Sequence, residues 1–368
     1  MSKVVIGMSG GVDSAVAAYL LQKDGHEVIG LFMRNWDALV NNDTLGNPDL
    51  KELICPQEQD YNDALAVCKK INIPLYRIDF VKEYWEYVFK YFLNELEQGR
   101  TPNPDLMCNK YIKFGLFIKE ARRLGAEYIA TGHYARIVGN RLCRAVDLNK
   151  DQTYFLAQVS PNHLKDVLFP VGELTKPEVR KIAIEIGLDV AKKKDSTGIC
   201  FIGERHYQQF IANYLKPNPG KIINIATNEV IGNHQGLMNY TIGQRRNVGI
   251  SGNVEKHFVV GKKVKDNILY VAFGEDSEYL YSDACLIDGV NYIGAARPAF
   301  CTAKFRYRGP DVEVILEYLE NNEILVRYPS GVKAVTPGQA CVFYLGEQCL
   351  GSGIIKKVYK NDQELAYL

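Results

Sequence analysis

The chain has 368 residues, 47% hydrophobic and 24% charged, with a formal net charge of +1 and nine cysteines. That length exceeds one ordinary core, so two or three domains of a globular protein are expected, and no apolar run is long enough to span a bilayer. The short lead before the first strand leaves no room for a signal peptide, so a cytoplasmic location with no membrane partner is expected. An odd cysteine count without CxxC pairs argues against a disulfide framework and a structural zinc site, and no metal-ligand cluster is predicted. Near-neutral charge lends no support by itself to a nucleic-acid partner.

In chain order, Val4, Val5 and Ile6 suit a buried parallel strand that breaks into Gly7-Met8-Ser9-Gly10-Gly11-Val12-Asp13-Ser14 and then a helix closed by Gly25. Such a loop brings an anion to a helix N-terminus, where unpaired N–H groups favour phosphate oxygens. Neither GxxxxGK[ST] nor GxGxxG is present. Val28 to Met33 reads as a second strand, with Met33 at the ligand edge, and Asn35 to Pro56 as a mobile loop. A helix through Cys68 follows, then a strand over Leu75 to Phe80 and one long amphipathic helix from Val81 to Leu96 ending near Gly99. Arg100 to Phe114 reads RTPNPDLMCNKYIKF: two prolines fix an extended entry, and Asp105 and Cys108 precede a helix. A thiol there, beside Lys110 or Lys113, is expected to have a lowered pKa and to serve as a nucleophile; on spacing alone it is equally a packed cysteine in a proline turn. Tyr128 to Thr131 is a fourth strand that delivers Gly132 and His133 to the ligand edge.

A hairpin turning at Gly139 and Asn140, a polar cluster at Lys150, Asp151 and Gln152, and a capping box at Thr175 to Glu178 come next. Lys192 to Lys194 precede a flexible segment, Asp195 to Cys200, where the lysines could hold RNA phosphates. KPNPG, from Lys216 to Gly220, marks a boundary after which the texture turns to short strands. Hairpins turn at Thr227–Asn228 and at Asp266–Asn267, and from about Ser282 the strands fit a small barrel. Arg306 and Arg308 interleave with Phe305 and Tyr307 in what reads as a barrel strand, suited to phosphate contact and base stacking. The division expected is 1–216, 217–280 and 281–368: an α/β, Rossmann-like parallel-sheet domain, a small central domain and a C-terminal β-barrel.

SGGVDS resembles the loop of the N-type ATP pyrophosphatases. With TPNPDLMCN, ATGHYA, KDQTYFL, STGICFIG, YTIGQRR and TPGQACVFY in that order, nearly the whole chain resembles the tRNA-specific 2-thiouridylases. One departure is Asn247, where that family usually has Gly; Asn tolerates a left-handed backbone. The resemblance implies that O2 of the wobble uridine in tRNAs for glutamate, glutamine and lysine is adenylated by ATP and replaced by sulfur. It implies that Cys200 carries a persulfide, that Cys108 is the nucleophile that helps release its terminal sulfur and leaves a Cys108–Cys200 disulfide, and that Asp105 is the general acid or base. Gly7 to Ser14, Met33 and Gly132 would contact ATP, with Asp13 close enough to help with Mg²⁺. Asn103, Pro104 and Asp105 would surround the target base, and Lys150, Asp151, Gln152, Arg306 and Tyr307 would contact tRNA, with His133 and Gln339 as further tRNA-linked positions. A cysteine desulfurase or relay protein is implied as sulfur donor. The thiols lie 92 positions apart (200 − 108), so a loop movement is expected to unite them. A small-metabolite synthetase with the same loop, or a non-catalytic tRNA-binding protein that retains ATP, would need neither thiol.

Overall fold

The computed structural model describes residues 1–48, 56–194, 198–250 and 256–368. Its N-terminal sheet holds β1 (Lys3–Met8), β2 (Glu27–Arg34), β3 (Leu75–Asp79), β4 (Tyr128–Ala130) and a two-residue β7 (Val167–Leu168). They are all parallel in the order β3-β2-β1-β4-β7. Helices α1 (Val12–Lys23) and α2 (Pro56–Lys70) follow β1 and β2. The chain runs from β1 outward to β2 and returns on the other side to β4, so a crevice opens at the carboxyl ends of β1 and β4, the position where such sheets bind ligands. Apolar β1 supplies the reason: Val4, Val5 and Ile6 are fully buried, one face packing on each core.

The expected long helix after β3 is divided into α3 (Val81–Tyr84), a π-helical stretch (Trp85–Phe89) and α4 (Lys90–Glu97), with Gly99 at φ 74° past its end. The next helix is built the same way: α5 (Pro104–Met107), a π-helical stretch (Cys108–Leu116) and α6 (Phe117–Arg123). Cys108 thus lies within the helical run rather than before it. In the segment expected to be a mobile loop, Asn35, Trp36 and Asp43 are buried and anchor it, Asp43 accepting from the Trp36 indole at 3.0 Å and pairing with Arg205, while Leu39, Val40 and Leu45 are exposed. Residues 49–55 lie outside the described part.

β5 (Ala135–Val138) and β6 (Arg141–Arg144) form the expected hairpin, with Gly139 and Asn140 both left-handed. Two short helices, α7 (Thr153–Leu156) and α8 (Pro161–Leu164), lead to β7, and α9 (Lys176–Glu185) opens on the capping box and ends at left-handed Gly187. After α10 (Tyr207–Ala212), a central sheet of β8 (Gly220–Asn224), β9 (Val230–His234), β10 (His257–Lys263) and β11 (Ile268–Phe273) runs in the order β10-β11-β8-β9.

The remaining strands are β12 (Tyr281–Tyr292), β13 (Phe300–Lys304), β14 (Val312–Tyr318), β15 (Ile324–Lys333), β16 (Ala340–Leu345), β17 (Gln348–Lys360) and β18 (Gln363–Glu364). The first six close a barrel in the order β12-β15-β14-β13-β16-β17, with β17 paired back to β12, which removes the open edges. β13 ends at Lys304, so Arg306 to Arg308 stand in a turn and not in a strand. β6 adds to β17 through Cys143 and Gln348, so the hairpin of the first domain extends the barrel's sheet.

Candidate active site

The phosphate loop is preformed by its own side chains. Ser9 Oγ lies 3.1 Å from Ser14 Oγ, Ser14 Oγ donates to the Gly11 carbonyl at 3.1 Å, and Ser9 N donates to Ser14 Oγ at 3.2 Å. Gly10 is left-handed at φ 72° and lies against α2, where a Cβ would stand 2.3 Å from the Asp60 carbonyl oxygen. At Gly132 a Cβ would stand 2.7 Å from Ser14 N, which explains the glycine after β4. Gly11 caps α1 without a side-chain bond to the first turn, leaving those amides for a ligand. Met33 and Phe117 both lie beside Gly7, while Met8 and Val12 are core.

Two lysines hold this loop, and the sequence assigns neither of them to it. Lys176 Nζ pairs with Asp13 at 2.8 and 2.9 Å, and Tyr134 Oη donates to the same carboxylate at 2.8 Å. Lys193 Nζ donates to the Gly10 carbonyl at 3.1 Å and pairs with Asp60 at 2.7 Å and Asp63 at 2.5 Å. The expectation that the lysine run faces RNA is therefore corrected at Lys193, which is turned inward; Lys192 and Lys194 are exposed. The flexible segment expected over Asp195 to Thr197 lies outside the described residues.

The second centre needs no loop movement to assemble. Cys108 Sγ donates to Cys200 Sγ at 3.7 Å, and both are free thiols. Asn103 caps α5 by accepting from Asp105 N, with Pro104 at the first helical position. Asp105 Oδ1 accepts from Cys200 N at 3.1 Å, and Tyr84 Oη donates to the Cys200 carbonyl at 2.7 Å. Phe201, next in the chain, is held left-handed at φ 67°, a costly conformation for an aromatic residue, and its carbonyl accepts from Gln57 at 2.8 Å.

The electrostatics reverse the sequence-based expectation. Burial pushes the Cys108 thiol well up, and Cys200 adds to this. Cys200 is lowered instead, first by the hydrogen bond from Cys108 and then by the Lys113 charge, against its own desolvation. Burial raises the Asp105 carboxyl, which favours a form that can give a proton.

Of the residues expected to contact tRNA, His133 and Asp151 are buried, and Arg306 and Gln339 bond to neighbouring segments. His133 is buried, with Nδ1 2.8 Å from Thr131 Oγ1, and burial followed by the Lys113 charge holds its pKa well down. Asp151 turns inward to Ala145 N and Thr153 Oγ1, Gln152 accepts from Tyr134 N at 2.9 Å, and Lys150 is half-buried. Arg306 donates to the carbonyls of Ile242 and Ala334 and to Thr336 Oγ1. Tyr307 packs on Phe155 with centroids 4.3 Å apart, and Gln339 donates to Thr101 O at 2.7 Å, tying the barrel to the TPNPD segment.

Three family models tile the chain: a tRNA methyl transferase HUP domain over residues 2–204, a tRNA methyl transferase PRC-barrel domain over 208–273 and an aminomethyltransferase β-barrel domain over 282–355. The tRNA-specific 2-thiouridylase MnmA of Mesoplasma florum is 54% identical, covering 96% of this chain and 98% of that protein. The chain belongs to the tRNA-specific 2-thiouridylase family. Thiouridylases bearing the same name from Mycoplasmopsis pulmonis and Bacillus cytotoxicus are 51% and 50% identical, covering all of this chain and 100% and 98% of their own. A solved 4-thiouridine synthetase–RNA complex with bound ATP is 16% identical, covers 58% of this chain and 51% of its own at a TM-score of 0.34, and is too distant to argue from. Among the described residues no helix of this thiouridylase-family chain is long and apolar enough to cross a membrane.

Proposed function

We propose that this chain replaces O2 of the wobble uridine with sulfur in tRNAs for glutamate, glutamine and lysine, consuming ATP and releasing AMP and pyrophosphate. Family membership supports the tRNA 2-thiouridylase activity, and the observation that carries the mechanism is the Cys108–Cys200 pair at 3.7 Å beside a carboxyl group. A uracil carbonyl is a poor electrophile. In this reading uridine O2 attacks the α-phosphate of ATP, held by Gly7 to Ser14, Met33 and Gly132, and pyrophosphate leaves. The terminal sulfur of a Cys200 persulfide then reaches C2 and AMP departs, while Cys108 attacks Cys200 Sγ, so that the S–S bond breaks and a Cys108–Cys200 disulfide remains. Sulfur can also leave first, as sulfide released inside the site by the same attack of Cys108; both routes end in that disulfide. Asp105, with Asn103 and Pro104 around the base, gives and takes the proton.

Mg²⁺ would neutralise phosphate charge as pyrophosphate leaves. The loop offers it the Asp13 carboxylate and the Ser9 and Ser14 hydroxyls, and no group of three His, Cys, Asp or Glu side chains gathers among the described residues. Both Asp13 oxygens are engaged by Lys176, so that set fits a cation held by the phosphates themselves, with Asp13 near it and available as a ligand only if Lys176 moves away. Residues 1–216 form the catalytic domain in this reading, while 217–280 and 281–368 hold tRNA with Lys150, Asp151, Gln152, Arg306, Tyr307, His133 and Gln339. A cysteine desulfurase or relay protein supplies the persulfide, and the reaction takes place in the cytoplasm. The test is formation of 2-thiouridine in unmodified glutamate tRNA with ATP, Mg²⁺ and a persulfide source. The intact chain yields product; pyrophosphate release without tRNA, and no thiolated base, would overturn the assignment.

A further inference from the structure

We propose that Lys113 is a positioning residue for sulfur loading: its ammonium, set beside the Cys108–Cys200 pair and over the Phe201 ring, works with the Cys108 hydrogen bond to make Cys200 the thiol that takes up the sulfur. This rests on the reaction proposed above. Two cysteines in contact start out chemically alike, so something must make them unequal. Cys108 is fully buried within its helical run, whereas Cys200 is half-buried in a loop. The ionisable groups that face Cys200 are Asp105, Cys108 and Lys113 from one helical run and Tyr84 from another. Asp105 spends its oxygen on the Cys200 amide and Tyr84 its hydroxyl on the Cys200 carbonyl, so both fix the peptide. Among the described residues Lys113 is the one cation in this set.

The helical geometry places it there. In a regular α-helix, at 3.6 residues per turn, position 113 would lie about 140° around the axis from position 108. The stretch from Cys108 to Leu116 is π-helical, and its i→i+5 pattern brings Lys113 over Cys108. Lys113 Nζ also stands 5.4 Å from the centre of the Phe201 ring, so it steadies the left-handed residue that follows Cys200. Its own pKa is raised despite burial, by Cys200, Cys108 and Asp105 in that order, and its charge lowers that of His133.

A thiolate held in this way attacks the terminal sulfur of a donor persulfide R–S–SH. The Cys200 Sγ–S bond forms as the donor S–S bond breaks, R–S⁻ leaves, and the proton stays on the transferred sulfur. No outside oxidant or reductant is needed.

The experiment is peptide-resolved alkylation of Cys200 by iodoacetamide against pH, on the full chain without tRNA or ATP. In the wild type, Cys200 should label before Cys108 with a midpoint below that of an ordinary thiol. In Lys113→Met the midpoint should rise, and labelling and persulfide loading at neutral pH should fall about tenfold for every pH unit the midpoint climbs. Lys113→Arg should restore both. A wild-type midpoint at or above the ordinary value overturns the proposal whether or not the methionine variant folds. So does an unchanged midpoint in folded Lys113→Met. Failure of the thiolation assignment reads differently: no 2-thiouridine from the wild type, with this titration intact.

Discussion

Among the described residues two cysteine pairs lie close together, and in the proposed reaction one of them acts. In the barrel, Cys285 on β12 and Cys341 on β16 are fully buried in one apolar core. Burial, then Cys285 and Cys301, push Cys341 well up, with no cation among the described groups that act on it. Near the sheet, Cys108 and Cys200 are unequally buried, share Lys113, and sit beside a carboxyl and a strained Phe201. Nearness of two sulfurs is therefore not what prepares a thiol. Charge, access and a backbone held away from its relaxed form make the difference.

The largest effect that would break this contrast comes from the reactive pair. Cys200→Ser and Cys108→Ser should each lower 2-thiouridine formation by at least about a thousandfold, read by mass spectrometry of digested tRNA, with tRNA binding kept. Next, Gly10→Ala forces a side chain into the Asp60 backbone from a left-handed position, at a cost of about 2–3 kcal/mol. Calorimetric ATP affinity should fall roughly 30- to 150-fold, while Cys200 alkylation stays unchanged, showing that the sulfur centre is set independently of the nucleotide loop. Tyr84→Phe leaves the buried Cys200 carbonyl without its donor, worth about 1–2 kcal/mol. Thiolation should fall about tenfold, and tRNA-dependent pyrophosphate release should persist.

The burial of His133, with the Lys113 charge adding to it, has a smaller signature on stability. His133 is held neutral when folded, so below its unfolded value of about 6.5 the unfolded chain binds the extra proton and stability declines as pH falls. His133→Gln should flatten that decline, by up to about 1.4 kcal/mol per pH unit in urea titrations between pH 6.5 and 5. Smallest of all, Cys341→Ala in the inert pair should cost about 1 kcal/mol in denaturant midpoint and leave thiolation intact.

Much of this site is legible without the fold, because its parts are local. The strand, glycine loop and helix at residues 3–23, the capping box at Thr175 and the hairpin at Gly139–Asn140 each declare themselves within a few residues. What stays hidden is what reaches across the chain. Tyr84 meets Cys200 at a separation of 116 residues and Lys176 meets Asp13 at 163, and neither lysine nor tyrosine carries a local mark of its partner. The direction of the Cys108 pKa is hidden for the same reason: a helix-start thiol near lysines suggests activation, but full burial outweighs it. The π-helical turns escape because an apolar period of three to four residues looks the same on either side of one inserted residue.

The core around Tyr154 has a consequence for how the protein is made. That cluster is completed by Ala340, Val342, Tyr344 and Cys349 from the barrel, and Tyr154 Oη donates to Ala340 O across 186 residues. A chain leaving the ribosome N-terminus first reaches this partner only 186 residues after Tyr154. The N-terminal domain must wait with an apolar face uncovered, a slow, high-contact-order step that exposes the nascent chain to aggregation and to chaperones.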